Sequence, residues 1–156
     1  MKQKALVVGI GNQLRQDDGL GPYCVDLMKE TRSRVKDKLV DYLVVHQLDV
    51  IHSEIFAKYQ FIIFIDADAQ KGPDPFRVEE ITPEPKSRAF TTHIGSSSDI
   101  LSLTKSLYGV VPKAYLVAVR GSSFEAGDSL SLTAIKNAKK ALVFIEELTH
   151  QFFPLE

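Results

Sequence analysis

Apolar residues along the chain form short continuous runs that alternate with stretches of helical periodicity. Runs at 6–8, 41–45, 61–65 and 114–119 predict strands, and the uniformly apolar run at 61–65 predicts a central one. A more polar run at 76–81, framed by prolines, predicts a short edge strand. Strands that are apolar on both sides are typical of a parallel sheet covered by helices on both faces.

Four segments carry apolar residues at helical spacing and follow or separate these runs. They are 20–28 with Pro22 in the first turn, 51–59 after Asp49 as a cap, 100–107 after serine caps at 96–98, and 131–150 with a stripe that starts at Leu132. Alternating strands and helices predict an α/β fold: a three-layer αβα arrangement around a mostly parallel, twisted sheet of about five strands. No repeat or linker interrupts the pattern, so we expect residues 1–156 to form a single domain.

Composition narrows the class of partner and the compartment. The 19 basic and 20 acidic residues leave a net charge of −1, so we expect neither nucleic acid nor a membrane as partner. The single cysteine, Cys24, excludes an internal disulfide and a multi-thiolate zinc site, and its place on the apolar side of the first helix predicts a buried filler. A free thiol, with no signal peptide and no long apolar span, predicts a cytoplasmic protein.

The glycine-rich loop after the first strand resembles a nucleotide-binding turn only in part. Gly9-Ile-Gly11 begins like a dinucleotide fingerprint, but Leu14 stands where the third glycine belongs. Asp17 and Asp18 place negative charge where phosphates would lie, and no P-loop lysine follows. We therefore expect no nucleotide. The two acids can cap the next helix, or one of them can serve a site that the loop brings close to a ligand.

Further polar residues follow the predicted strands. Asp66 is expected to end the central strand, where a carboxylate needs a partner, and His93 lies in the loop before the third helix. Carboxyl ends of parallel strands share one edge of the sheet, so Asp18, Asp66 and His93 can converge there. That O,O,N set suits nickel, zinc or iron and leaves coordination positions open. Asp68 offers a second acid of the kind found in magnesium-dependent phosphoryl enzymes, without the expected lysine partner.

The remaining histidines and motifs point to no other chemistry. His46 and His52 are weaker candidates, and His150 belongs to the end of the last helix. The sequence contains neither the G-x-S-x-G elbow of serine hydrolases nor the H-E-x-x-H motif of zincins.

Three segments together resemble the hydrogenase maturation protease family. They are the motif at 9–21, the sequence Phe64-Ile-Asp-Ala67, and Thr92-His93 ahead of an apolar helix that ends in Tyr108-Gly109. The resemblance spans roughly residues 4–148. Family members are endopeptidases that remove a C-terminal peptide from the precursor of a nickel-iron hydrogenase large subunit once nickel has been inserted. The resemblance implies that Asp18, Asp66 and His93 bind the metal and carry out an aspartic-type or metal-assisted hydrolysis. It also implies that this precursor is the partner and supplies the nickel.

Two departures from the family pattern bear on the site and its substrate. Asp18 stands where the family often has glutamate, which shortens the arm by one methylene and leaves Asp17 as a possible substitute. His46-Gln47-Leu48 replaces a glycine-rich segment and resembles the members that serve soluble, bidirectional, NAD(P)-linked hydrogenases. An alternative function stays open, a nickel-sensing chaperone that grips the precursor without cutting it, because binding and hydrolysis can use the same ligands.

Overall fold

A twisted sheet of five strands forms the middle layer of the protein. The computed structural model describes residues 2–31, 39–83 and 95–153. Its strands are β1 Lys2–Ile10, β2 Val40–Val45, β3 Tyr59–Asp68, β4 Phe76–Ile81 and β5 Lys113–Arg120. They lie in the order β2-β1-β3-β5-β4. Neighbours pair in parallel except β4, which runs antiparallel to β5 at the edge. The predicted mostly parallel sheet and its polar edge strand are confirmed.

Helices cover both faces of this sheet. A 3-10 helix, Gln16–Gly19, leads into α1 Leu20–Thr31, and the others are α2 His52–Phe56, α3 Ser97–Tyr108 and α4 Leu132–Phe152. Buried residues of α1 and α4 pack against one face, and those of α2 and α3 pack against the other. The predicted three-layer αβα architecture is therefore confirmed. Among the described helices, none has the length and apolar character needed to cross a membrane.

The two faces of the sheet follow from the alternation of side chains along each strand. Val7 and Ile63 point to the α1 and α4 face, whereas Leu6 and Ile62 point to the α2 and α3 face, and all four are at most 2% exposed. Burying each such side chain contributes about 1.5–3 kcal/mol. Since both faces of the central strands are buried, the uniformly apolar runs in the sequence are explained.

The central strand and the helix before it end at different residues from those predicted. Strand β3 continues past Asp66, which pairs with Ala118 of β5, and ends at Asp68. Helix α2 ends at Phe56, because Tyr59 already belongs to β3. The side chain of Asp49 does not cap α2. Its backbone carbonyl accepts a hydrogen bond from the His52 amide, and the cap position of the helix is Ile51.

The buried face of α4 also differs from the predicted stripe. Leu132 is 78% exposed, whereas Ala134, Ala138 and Ala141 are completely buried. Small side chains allow the first half of the helix to approach the sheet closely, so alanines make the contact there. Ala138, Ile145 and Leu148 lie on the buried face as predicted.

Candidate functional site

An open cleft lies at the carboxyl edge of the sheet, beside the ends of β1 and β3. Strands β2 and β3 lie on opposite sides of β1, so the strand order reverses between β1 and β3. Ligands of open α/β sheets bind at such a point. The cleft has a volume of about 410 Å³, and both Asp18 and Asp66 line it. The predicted convergence of these two residues is thus present.

The loop after β1 holds the carboxylate of Asp18 in place. Gly11 has a φ of 150°, and a Cβ at this position would overlap the backbone carbonyl of Asp18. The amide of Asn12 donates a hydrogen bond to Asp18 Oδ2 at 2.8 Å, while Asn12 Oδ1 accepts one from the Leu14 amide at 3.0 Å. Asp18 is therefore fixed by the backbone of a tight loop that a glycine permits.

The start of α1 lies directly against the two strands that border the cleft. A Cβ on Gly21 would come within 2.5 Å of the Ile10 amide nitrogen and 2.6 Å of the Ile65 carbonyl oxygen. This contact between backbones leaves no room for a side chain. It brings the residues just before α1, including Asp18, to the carboxyl ends of β1 and β3.

The surroundings of Asp66 raise the pKa of its carboxyl group. The pKa of Asp66 is raised to about 6, mainly by burial and in part by the negative charges of Asp18 and Asp68. A hydrogen bond from the Ala67 amide to Oδ1 (2.8 Å) acts in the opposite direction. A carboxyl group with this pKa exchanges protons readily near neutral pH. Proton transfer of this kind is what a general acid or base requires.

Asp17 is fully buried and serves the neighbouring loop rather than the cleft. Its Oδ2 accepts hydrogen bonds from the amides of Ser122 (2.7 Å) and Ser123 (3.0 Å), and Ser131 donates to the carboxylate through both its amide and its hydroxyl. Burial raises the pKa of Asp17, but these hydrogen bonds outweigh it and leave the pKa below its ordinary value. Asp17 therefore anchors the loop ahead of α4, and Asp18 is the acid that lines the cleft.

Asp68 is also held by structural partners. Its carboxylate accepts hydrogen bonds from Arg77 Nε at 3.2 Å and from the amide of Gln70 at 2.9 Å, and its side chain is 6% exposed. The ion pair links β3 to β4 across the intervening β5. These contacts explain Asp68 without the magnesium site that the sequence left open.

The histidines occupy different surroundings. His93 lies outside the residues that the structure describes, so its place at the cleft stays a prediction. His46 lines the cleft with Asp18 and Asp66. His52 stacks on Phe56 with ring centroids 6.0 Å apart, and its Nδ1 accepts a hydrogen bond from the Asp49 amide. Within the ranges 2–31, 39–83 and 95–153, no three His, Cys, Asp or Glu side chains form a group that could hold a metal ion.

Two further segments line the cleft beside these carboxylates. Residues 46–48 follow β2, and residues 95–97 form the entry to α3. The sequence identified the serines only as caps, and Ser96 does cap α3 by accepting a hydrogen bond from the Asp99 amide. Their position at the start of the helix that follows the His93 loop was the sequence signal that could have assigned them to the cleft. Cys24, as predicted, is buried, and burial raises the pKa of its thiol to about 12.

Solved structures of hydrogenase maturation proteases share this fold. No protein-family model and no curated protein sequence matches the chain. The HybD endopeptidase of E. coli has a TM-score of 0.73 at 22% identity, with 95% of this chain and 93% of that chain covered. The HycI protease of Thermococcus kodakarensis has a TM-score of 0.71 at 21% identity, with 94% of this chain and 92% of that chain covered. The hydrogenase 2 maturation peptidase of a Thaumarchaeota archaeon has a TM-score of 0.69 at 23% identity, with 94% of this chain and 97% of that chain covered. The resemblance seen in the sequence motifs is confirmed at the level of the fold.

Proposed function

We propose that this protein is an endopeptidase that removes the C-terminal peptide from the nickel-loaded precursor of a nickel-iron hydrogenase large subunit. One observation carries the proposal: Asp18 and Asp66, from separate segments of the chain, meet in an open cleft at the carboxyl edge of the sheet. Three solved structures with this fold bear the names of hydrogenase maturation proteases or peptidases. The fold and the acid pair together favour peptide hydrolysis in this cleft.

The chemistry follows from the protonation of Asp66. As a carboxylate, Asp66 takes a proton from a water molecule whose oxygen bonds to the carbonyl carbon of the scissile peptide. The same proton then passes to the leaving nitrogen as the C–N bond breaks, which yields an amine and a carboxylic acid, and the acid releases its own proton to water. In the metal-free protein the pKa of Asp66 is about 6, so this carboxyl group accepts and releases a proton near neutral pH.

Nickel enters the cleft as part of the substrate, because the precursor carries it. Asp18 and Asp66 supply two oxygen ligands, and the family resemblance adds the imidazole of His93 as a third. Three such ligands without a thiolate bind a metal modestly, so nickel already held by the precursor serves as the recognition tag. The presence of His46, Gln47 and Leu48 in the wall of the cleft favours a precursor of the bidirectional, NAD(P)-linked class.

The test is cleavage of nickel-loaded and nickel-free precursor, followed by mass spectrometry. We expect removal of the C-terminal peptide from the loaded precursor only, and loss of cleavage in Asp18→Asn, Asp66→Asn and His93→Ala. Asp26→Asn is a matched control, since this exposed carboxylate on α1 lies outside the cleft. Equal cleavage of both precursors would contradict the role of nickel. Stable binding of an uncut precursor would favour the chaperone instead.

A further inference from the structure

The amino end of α3 borders the cleft. This helix has 12 residues, and the Ser96 side chain accepts a hydrogen bond from the Asp99 amide at 3.2 Å. The first amides of a helix have no partner within it. Those of Ser97 and Ser98 find no acceptor among the described residues, and Ser97 is one of the residues that line the cleft.

The hydroxyl of Ser97 adds an independent observation. Ser97 is 7% exposed and lines the cleft, and its hydroxyl makes no hydrogen bond to any residue within the described ranges. By contrast, the Ser98 hydroxyl donates to the Thr82 carbonyl at 2.7 Å, and Thr104 donates to the Ile100 carbonyl at 2.7 Å. A buried hydroxyl without a partner is unusual, since burial of polar groups is normally accompanied by a hydrogen bond.

The direction of the Ser97 side chain follows from the periodicity of α3. The buried positions of the helix are 97, 100, 101 and 104, a stripe that faces the sheet. Ser97 is the first member of this stripe and therefore the one at the carboxyl edge. Its hydroxyl, the nearby amides and the positive end of the helix dipole all favour an oxygen atom with negative charge.

The carboxylates in the same cleft restrict what that oxygen can be. Asp18 and Asp66 would repel a ligand that arrives as an anion. A peptide carbonyl arrives neutral and gains negative charge only when water adds to its carbon. Donors placed in advance for that charge stabilise the transition state more than the bound substrate.

We propose that Ser97 and the amino end of α3 bind the carbonyl oxygen of the scissile peptide and stabilise the oxyanion formed when water attacks. The proposal rests on the proteolytic function proposed above. In this step the water oxygen bonds to the carbonyl carbon, the C=O electron pair moves to the oxygen facing Ser97, and the water proton passes to Asp66. Return of that pair expels the leaving nitrogen, which takes the proton.

The test compares Ser97→Ala with wild type on the nickel-loaded precursor. We expect kcat to fall by about 100-fold with KM nearly unchanged, as for loss of one oxyanion donor. Ser97→Thr, which keeps the hydroxyl, is expected to restore most of kcat. Ser106→Ala, an exposed position on the same helix, is the matched control and should leave kcat unchanged.

Urea unfolding of the same variants separates catalysis from structure. Since the Ser97 hydroxyl has no partner among the described residues of the folded protein, Ser97→Ala should unfold at the wild-type urea concentration or above it. A wild-type kcat in Ser97→Ala, or a loss of activity that only follows a loss of stability, would overturn the inference. Failure of the wild-type protein to cleave either precursor would instead overturn the proposed function on which it rests.

Discussion

Asp17 and Asp18 are consecutive residues, yet their carboxylates serve different neighbours. Asp17 accepts hydrogen bonds from the loop ahead of α4, whereas Asp18 accepts one from Asn12 and lines the cleft. The tight 3-10 helix turns the two side chains in different directions. The hydrogen bonds of Asp17 join the loop after β1 to the segment 122–131, and this attachment also helps to position Asp18, the next residue.

Replacement of Asp17 by asparagine should destabilise the protein strongly. Asparagine keeps only one oxygen, which can accept the three hydrogen bonds that now go to Oδ2. Its NH2 group would then face the Ser131 amide, a second donor, in place of the Oδ1 that now accepts from it. Loss of a buried, multiply bonded charge costs about 2–4 kcal/mol. Urea unfolding measures this loss, and Asp128→Asn, at an exposed position of the same loop, should change stability by less than about 0.5 kcal/mol. Equal effects of the two changes would show that the Asp17 contacts contribute little.

Replacement of Asp66 by asparagine should stabilise the protein at neutral and basic pH. The pKa of Asp66 is raised from 3.8 to about 6, mainly by burial, so the folded chain binds more protons than the unfolded chain between these values. The free energy of unfolding therefore falls as the pH rises through this range, and the ionised side chain lowers stability above it. An asparagine side chain carries no such charge, and we expect a gain of about 1–3 kcal/mol near pH ~8.

This gain should depend on pH. Urea unfolding in the presence of EDTA should show the difference between Asp66→Asn and wild type growing from about pH 4 to about pH 7. Asp26→Asn, an exposed acid on α1 that does not line the cleft, is the control for the loss of a carboxylate as such. A difference that stays constant over this range would contradict a raised pKa at Asp66.

Replacement of Gly21 by alanine should prevent the close approach of α1 to the sheet. The new Cβ would lie 2.6 Å from the Ile65 carbonyl oxygen, which belongs to the backbone of β3 and cannot move aside alone. We expect a loss of about 3 kcal/mol or more. Gly109→Ala is the control: Gly109 has a φ of 68° and no atom within 4 Å of an added Cβ, so only backbone strain of about 1 kcal/mol applies. Similar unfolding free energies for the two variants would contradict the predicted clash.

Much of the fold was predictable because each strand and helix carries a local signal. The apolar run at 61–65 identified the central strand, since a strand buried on both faces has to be apolar throughout. The ends of elements were less predictable. Strand β3 continues through Asp66 because β5 supplies backbone partners up to Arg120, and that pairing is not visible in the run itself.

The candidate site was predictable in part. The motif around Asp18 and the strand that carries Asp66 could both be read from the sequence, and parallel topology predicted that they would meet. The place of His93 stays a prediction. The role proposed for Ser97 was missed, because a serine at a helix start is first explained as a cap, and only packing shows that its hydroxyl has no partner among the described residues.

The sequence by itself determined the order of strands and helices, the layered α/β architecture and the acids available at the carboxyl edge of the sheet. These properties depend on periodicity and on neighbours along the chain. Only the tertiary structure decided which of two adjacent acids lines the cleft, since that choice depends on donors from Ser122 and Ser131, more than 100 residues away. It also decided that the first half of α4 packs through its alanines, because the distance between helix and sheet is set by both surfaces together.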